Sequence, residues 1–122
     1  MGKKILIVDD SSMIRFVVTK VAKKMGYDVI EANDGQAGLD QLLKNSDTAL
    51  ILSDINMPIM DGLEMVEKIK QNEELKYIPI VMLTTESKSD LKQRGKELGV
   101  KAWMVKPFNE DTFLKAMTKL VG

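Results

Sequence analysis

Three aspartates, two threonines and a lysine carry most of the chemistry open to this chain of 122 residues. Asp9 and Asp10 close the apolar run KILIVD, Asp54 closes TALILSD, Thr84 and Thr85 end IPIVMLT, and Lys106 follows KAWMV. The stretch 51–62, ILSDINMPIMDG, passes from a buried-looking strand to a carboxylate, then to Met-Pro and an Asp-Gly turn. An acid there is either an ordinary loop residue or a reactive group held out at a strand tip. The chain has no cysteine and no histidine. That excludes disulfides, thiol nucleophiles, Ser-His and Cys-His pairs and most zinc sites. Carboxylates, lysine, hydroxyls and an oxygen-seeking cation remain.

The elements that must position these groups are legible as five strand-like runs alternating with five helical ones. The strands are expected at 4–9, 28–32, 48–54, 78–84 and 101–105. The first, third and fourth are almost continuously apolar, as in a parallel sheet covered on both faces. The second and fifth are mixed, which suits sheet edges. Pro79 falls at a strand start, where a missing donor does little harm. Ser11 or Ser12 can cap a helix carrying Ile14, Val17, Val18, Val21 and Met25 at helical spacing, and Gly26 stops it. Gly35 to Lys44 forms a second helix with Leu39, Leu42 and Leu43 inward. Asp61 caps a third, marked by Leu63, Val66 and Ile69. Asn109 caps the last, marked by Phe113, Leu114, Met117, Leu120 and Val121. The fourth, 87–99, has only Leu91 and Leu98 to bury, so it should move more readily than its neighbours. Strict alternation predicts a doubly wound α/β sheet with right-handed crossovers and ligands beyond the carboxyl ends of the strands.

Composition sets the frame. The length suits one domain over 1–122, and the 44% hydrophobic and 30% charged fractions are those of an ordinary globular protein. Eighteen basic and eighteen acidic residues cancel, so no overall field favours nucleic acid or an anionic membrane. No run is long enough for a membrane span and the start lacks a secretion signal, which makes the cytoplasm the expected location.

Taken singly, each candidate has a plain explanation. An Asp at a strand end is ordinarily a loop or cap residue, Asp61-Gly62 alone is a turn, and Lys106 before Pro107 could be a surface lysine. The nine methionines are spaced as packing residues. Position sets the candidates apart, because all arrive at one end of one sheet. With the first and third strands adjacent, Asp9, Asp10 and Asp54 meet. Two such charges at about 4 Å repel by about 4 kcal/mol at an effective dielectric near 20. A compensating cation is expected, and oxygen ligands without His or Cys favour Mg²⁺ or Mn²⁺.

ILIVDDSSMIR, LSDINMPIMDG, VMLTTES and WMVKPF, in this order along the whole chain, resemble the receiver domain of two-component response regulators. The likeness is to the stand-alone chemotaxis regulators of the CheY type. It implies a flavodoxin-like, five-stranded parallel sheet in the order 2-1-3-4-5, an order for which CheY is itself a standard example. It implies that Asp54 takes a phosphoryl group from a phosphohistidine on a sensor histidine kinase. Asp10 would bind Mg²⁺ directly, Asp9 mainly through water, and the backbone carbonyl of Asn56 would complete the protein ligands. Lys106, the Thr84 hydroxyl and the Thr85 backbone would contact the phosphoryl oxygens. Met57, Pro58 and Gly62 would shape the loop that aims the carbonyl. The Lys106–Pro107 bond is expected to be cis, which X-Pro bonds allow at small cost.

The resemblance also supplies a signalling scheme. Thr84 moves toward the phosphoryl group, and the aromatic residue three before the lysine turns into the vacated space. Here it is Trp103, where well-known relatives carry Tyr or Phe; a static plug is the other reading of this side chain. The surface of the fourth helix, fifth strand and fifth helix changes and binds a downstream protein, the flagellar motor switch being the expected target. Asn56 and Glu86 stand where the family tunes dephosphorylation, with or without a phosphatase. The chain is expected to be a monomeric phosphoacceptor without an output domain, not an enzyme. Three alternatives share these residues. A phosphorelay intermediate has the same site. A metal-dependent phosphohydrolase with an Asp nucleophile usually needs a second acid at position 56, which is Asn. A docking module that has lost phosphorylation would not need the complete set Asp9, Asp10, Asp54, Thr84 and Lys106.

Overall fold

Side-chain alternation along the central strands determines what can cover each face of the sheet. In the computed structural model, which describes residues 2–121, β1 spans Lys4–Val8, β2 Asp28–Ala32, β3 Leu50–Ser53, β4 Ile80–Thr84 and β5 Ala102–Val105. Leu6, Val8, Ile51, Ile80 and Met82 point to one face, and Ile5, Ile7, Leu50, Leu52, Val81 and Leu83 to the other. A helix is therefore required on each side. Helices α2 (Gly35–Lys44) and α3 (Gly62–Lys70) bury Leu42, Met65, Val66 and Ile69 against the first face. Helices α1 (Ser12–Lys24) and α5 (Glu110–Leu120) bury Val18, Val21, Ala22, Phe113 and Met117 against the second.

All neighbours pair in parallel, in the order β2-β1-β3-β4-β5. This is the doubly wound order that the resemblance implied. The two mixed strands are the edges. Strand β2 has the expected bounds, and the other four are shorter than the runs suggested. Thr48, for instance, closes a turn by donating from Oγ1 to the Asn45 carbonyl, so β3 begins only at Leu50.

Local sequence accounts for the helix starts. Ser11, Asp34, Asp61 and Asn109 each accept a backbone N–H from three residues on. Asp61 and Glu64 form a reciprocal capping box. Two expected inward residues face out. Leu43 is 64% exposed and Val17 is 38% exposed. Each lies about 100° around its helix from the neighbour that does face the sheet, Leu42 or Val18. Beyond Val17, Met13 and Phe16 also leave apolar surface of α1 in solvent.

Helix α4 (Ser89–Glu97) is shorter than the 87–99 expected and has no side-chain cap at Lys88. Its one buried residue is Gly95, while Leu91 and Leu98 are only partly covered. Its attachment to the sheet is correspondingly slight. An ion pair from Arg94 to Glu67 ties it sideways to α3.

Gly62 is fixed by a close approach of backbone. A Cβ at Gly62 would stand 2.1 Å from the carbonyl oxygen of Asp54, where neither partner can yield. Gly62→Ala should therefore lose about 2–3 kcal/mol of stability. Chemical denaturation checks this, and an unchanged midpoint would mean that the 55–62 loop tolerates displacement.

Candidate functional site

The strand register builds the site. The last paired residues of β1 and β3 are Val8 and Ser53, so the next residue on each, Asp9 and Asp54, stand side by side at the carboxyl ends. The Asp9 amide donates to the Ala32 carbonyl (3.1 Å) and the Asp54 amide to the Val8 carbonyl (2.9 Å). Both residues are buried, at 2% and 7% exposure. Each divides its two oxygens in the same way. Asp9 Oδ1 accepts from the Ser11 amide (2.9 Å) and Asp54 Oδ1 from the Ile55 amide (2.7 Å). The remaining Oδ2 of each lies 2.9 Å from Lys106 Nζ. Arg15 reaches the same corner by donating to the Asp9 carbonyl and pairing with Glu31.

Lys106 arrives by the same register logic. Thr84 pairs with Val105, and the Lys106 amide donates to the Thr84 carbonyl at 2.8 Å. The lysine begins one residue past β5 and spans the pocket to both carboxylates. The Lys106–Pro107 peptide bond is cis.

Electrostatics explains why this arrangement needs a cation. Burial raises the pKa of Asp9 above its ordinary 3.8, and the Asp54 charge adds to this, against the Ser11 amide and the Lys106 ammonium. Burial by itself would lower Lys106, but its hydrogen bonds and attraction to Asp9 and Asp54 raise it above 10.5. Asp10, exposed, offers a third carboxylate, and oxygens of all three aspartates lie within 4.8 Å of one another. One ammonium against three carboxylates leaves an excess of negative charge. An all-oxygen donor set of this kind fits a hard divalent cation.

The remaining candidates surround this group. Thr84 is fully buried, and its Oγ1 accepts from the Glu86 amide at 3.2 Å. Thr85 is exposed. Asn56 Nδ2 donates to Glu86 Oε1 at 2.8 Å, so the two residues that the resemblance assigns to dephosphorylation are bonded to each other. Trp103 is half-buried, and its Nε1 donates to the Glu86 carbonyl at 2.9 Å. The loop after Asp54 folds back through Gly62 N–H to Ile55 carbonyl (2.8 Å), with Ile59 at φ 69°. A β-branched residue there is strained. Arg15, Ser11 and Ile59 were not among the sequence candidates. ILIVDDSSMIR contains the first two, but only the fold shows what they touch.

Comparison with known proteins gives this geometry a family. The model of the response regulator receiver domain matches residues 5–118. The chain belongs to the receiver family. Chemotaxis protein CheY1 of Helicobacter pylori is 36% identical over 98% of this chain and 97% of its own. CheY-3 of Vibrio cholerae is 36% identical over 96% and 90%. The structure of Vibrio cholerae CheY4 superposes with a TM-score of 0.91 at 41% identity, covering 98% of this chain and 99% of that one. A Mn²⁺-bound form of the response regulator Rcp1 gives 0.80 at 33% identity, over 97% and 91%. The receiver is thus a two-component signalling domain homologous to the chemotaxis CheY proteins, which are generally not enzymes. No helix among its described residues is long and apolar enough to cross a membrane.

The receiver's lysine has a testable energetic role. Because its folded pKa is raised, its stabilisation is complete below 10.5 and is lost as pH climbs through the higher folded value. With the metal chelated, Lys106→Met should lose about 3 kcal/mol near neutral pH, since two buried carboxylates lose their counter-charge. The deficit should narrow in strong alkali, where the lysine is lost as a cation, and in acid, where the carboxylates are protonated, and Mg²⁺ should restore part of it near neutral pH. Denaturant titrations across pH, with and without Mg²⁺, measure this. A deficit that ignores both pH and Mg²⁺ would contradict the assignment.

Proposed function

We propose that this receiver is phosphorylated on Asp54 by a histidine kinase and passes the signal to a protein target through α4, β5 and α5. The observation that carries the reading is the shared grip of Lys106 on Asp9 and Asp54 at the sheet's carboxyl edge. An Asp54 oxygen attacks the phosphorus of a phosphohistidine. The new O–P bond forms as the P–N bond breaks, and the imidazole leaves with a proton taken from solvent. Such transfer asks the protein for alignment and for charge neutralisation on the equatorial oxygens rather than for covalent chemistry.

Each neighbour has a part in that step. Lys106 can follow the charge from the Asp54 carboxylate to a phosphoryl oxygen. The Thr84 hydroxyl, which accepts from Glu86 N–H, still has a proton to donate to another oxygen, and the Thr85 backbone serves a third. Asp9, Asp10, Asp54 and the Asn56 carbonyl would hold Mg²⁺, or Mn²⁺ in its place. When bound, the ion neutralises charge on the phosphoryl oxygens. Asn56 and Glu86, bonded to each other, set how readily water, or a phosphatase, reaches the phosphoryl group.

Kinship with CheY proteins supports chemotaxis as the pathway and the flagellar switch as the target, with the receiver a cytoplasmic monomer of one domain. The family match over residues 5–118 and the Asn at position 56 weigh against the phosphohydrolase alternative. A small phosphodonor such as phosphoramidate, given with Mg²⁺, should add one phosphoryl group to the wild-type protein by intact mass. Asp54→Asn should gain none. Equal uptake by both proteins, or uptake by neither, would overturn the reading.

A further inference from the structure

Asp10 is the least supported of the three carboxylates. Asp9 and Asp54 each have one oxygen on a backbone amide and one on Lys106. Asp10 is exposed, and its carboxylate has no hydrogen bond or ion pair among the described residues. Its direction is therefore set by the backbone on either side of it. Two rigid peptide planes meet at the Asp10 Cα. The following plane is held by the Ser11 amide, which donates to Asp9 Oδ1 at 2.9 Å. The preceding plane is held by the Asp9 carbonyl, which accepts from Arg15 Nη1 at 2.5 Å.

Arg15 is itself fixed. Its amide donates to the Ser11 carbonyl in the first turn of α1. Its side chain is 19% exposed, and Nε donates to Glu31 Oε1 at 3.1 Å. Glu31 stands on β2 next to Ala32, whose carbonyl takes the Asp9 amide. The edge strand thus holds Asp9 at its amide and, through Arg15, at its carbonyl. The same contacts solve a problem of charge. A guanidinium is a ready bidentate partner for carboxylates, and three of them gather at this corner. Glu31 and the Asp9 carbonyl engage the fork on the wall of the site, which leaves the place between the carboxylates open to a cation.

We propose that Arg15 is a positioning residue for the divalent cation, aiming Asp10 through the Asp9–Asp10 peptide, and that Glu31 holds Arg15 in that role. This role rests on the cation site proposed for Asp9, Asp10 and Asp54 and adds what directs its exposed ligand. Charge alone would give the opposite result to aiming. Removal of a guanidinium beside three carboxylates strengthens cation binding by electrostatics, whereas loss of the contact that orients a ligand weakens it. The sign of the change separates the two.

Metal titration tests this, with free Mn²⁺ counted by electron paramagnetic resonance and Mg²⁺ affinity read by competition. Arg15→Met should weaken both ions by about tenfold, as expected of a residue that orients a metal ligand. Arg15→Lys, whose ammonium can still donate to the Asp9 carbonyl, should regain part of the loss. In the Asp10→Asn background, Arg15→Met should weaken binding by less than about twofold, because the ligand it aims is gone. Glu31→Gln leaves the guanidinium charge uncancelled, so binding should weaken at low salt and recover as KCl screens that charge. Unchanged or tighter binding in Arg15→Met would overturn the proposal. An equal loss with and without Asp10 would overturn it too, and a variant that merely unfolds gives that equal loss. A Glu31→Gln deficit that KCl leaves untouched would overturn the part given to Glu31. No Mn²⁺ or Mg²⁺ binding by the wild-type protein would overturn the cation site itself, and the role of Arg15 with it.

Discussion

Like charge held at the tips of two adjacent parallel strands is the constraint around which this molecule is arranged. The register of β1 against β3 leaves Asp9 and Asp54 no choice but to be neighbours. Both are buried, so neither can screen the other with water. The fold answers with one backbone N–H for each carboxylate and one ammonium for the pair. A lysine suits this better than an arginine would. Its compact charge on a flexible stem can move from one oxygen to another, whereas a guanidinium fork would fix the pair in place. The balance is incomplete, because Asp10 adds a third carboxylate to the one ammonium, and a ligand that brings its own charge can shift it.

That balance shows what was legible in the amino-acid sequence. The alternation of strands with helices and the edge positions of the second and fifth strands follow from which runs are apolar throughout, while the order 2-1-3-4-5 came with the resemblance to the receiver family. Asp9, Asp10, Asp54, Thr84 and Lys106 each lie at a strand's carboxyl end, so topology alone brings them to one rim. Contacts set by angle were less readable. Leu43 and Val17 share the helical spacing of their inward neighbours but sit one step too far round. The bond between Asn56 and Glu86 joins positions 30 residues apart in loops, where no periodicity operates. Gly95 is not among the residues that the helical pattern of 87–99 singles out. Its meaning depends on Trp103, eight residues on and across the α4–β5 turn, and only packing reveals the pair.

The weak attachment of α4 and the firm construction of the strand tips belong to one design. A helix anchored by several apolar side chains would have to be pulled from the core to move, and each buried Leu or Ile resists by roughly 1.5–3 kcal/mol. Helix α4 offers a glycine and two half-covered leucines. Phosphorylation would bring a charge of roughly −2 to the site, to be met by the Lys106 ammonium and the Thr84 hydroxyl. A ligand shifts a conformational equilibrium only by the difference in its affinity for the two states. To carry a population from 1:99 to 99:1 takes about 5.5 kcal/mol. Two charge-assisted hydrogen bonds of about 1.5–3 kcal/mol each reach that range, but only if the moving part itself resists little. The sparse core beneath α4 therefore matches the size of the force that would act on it.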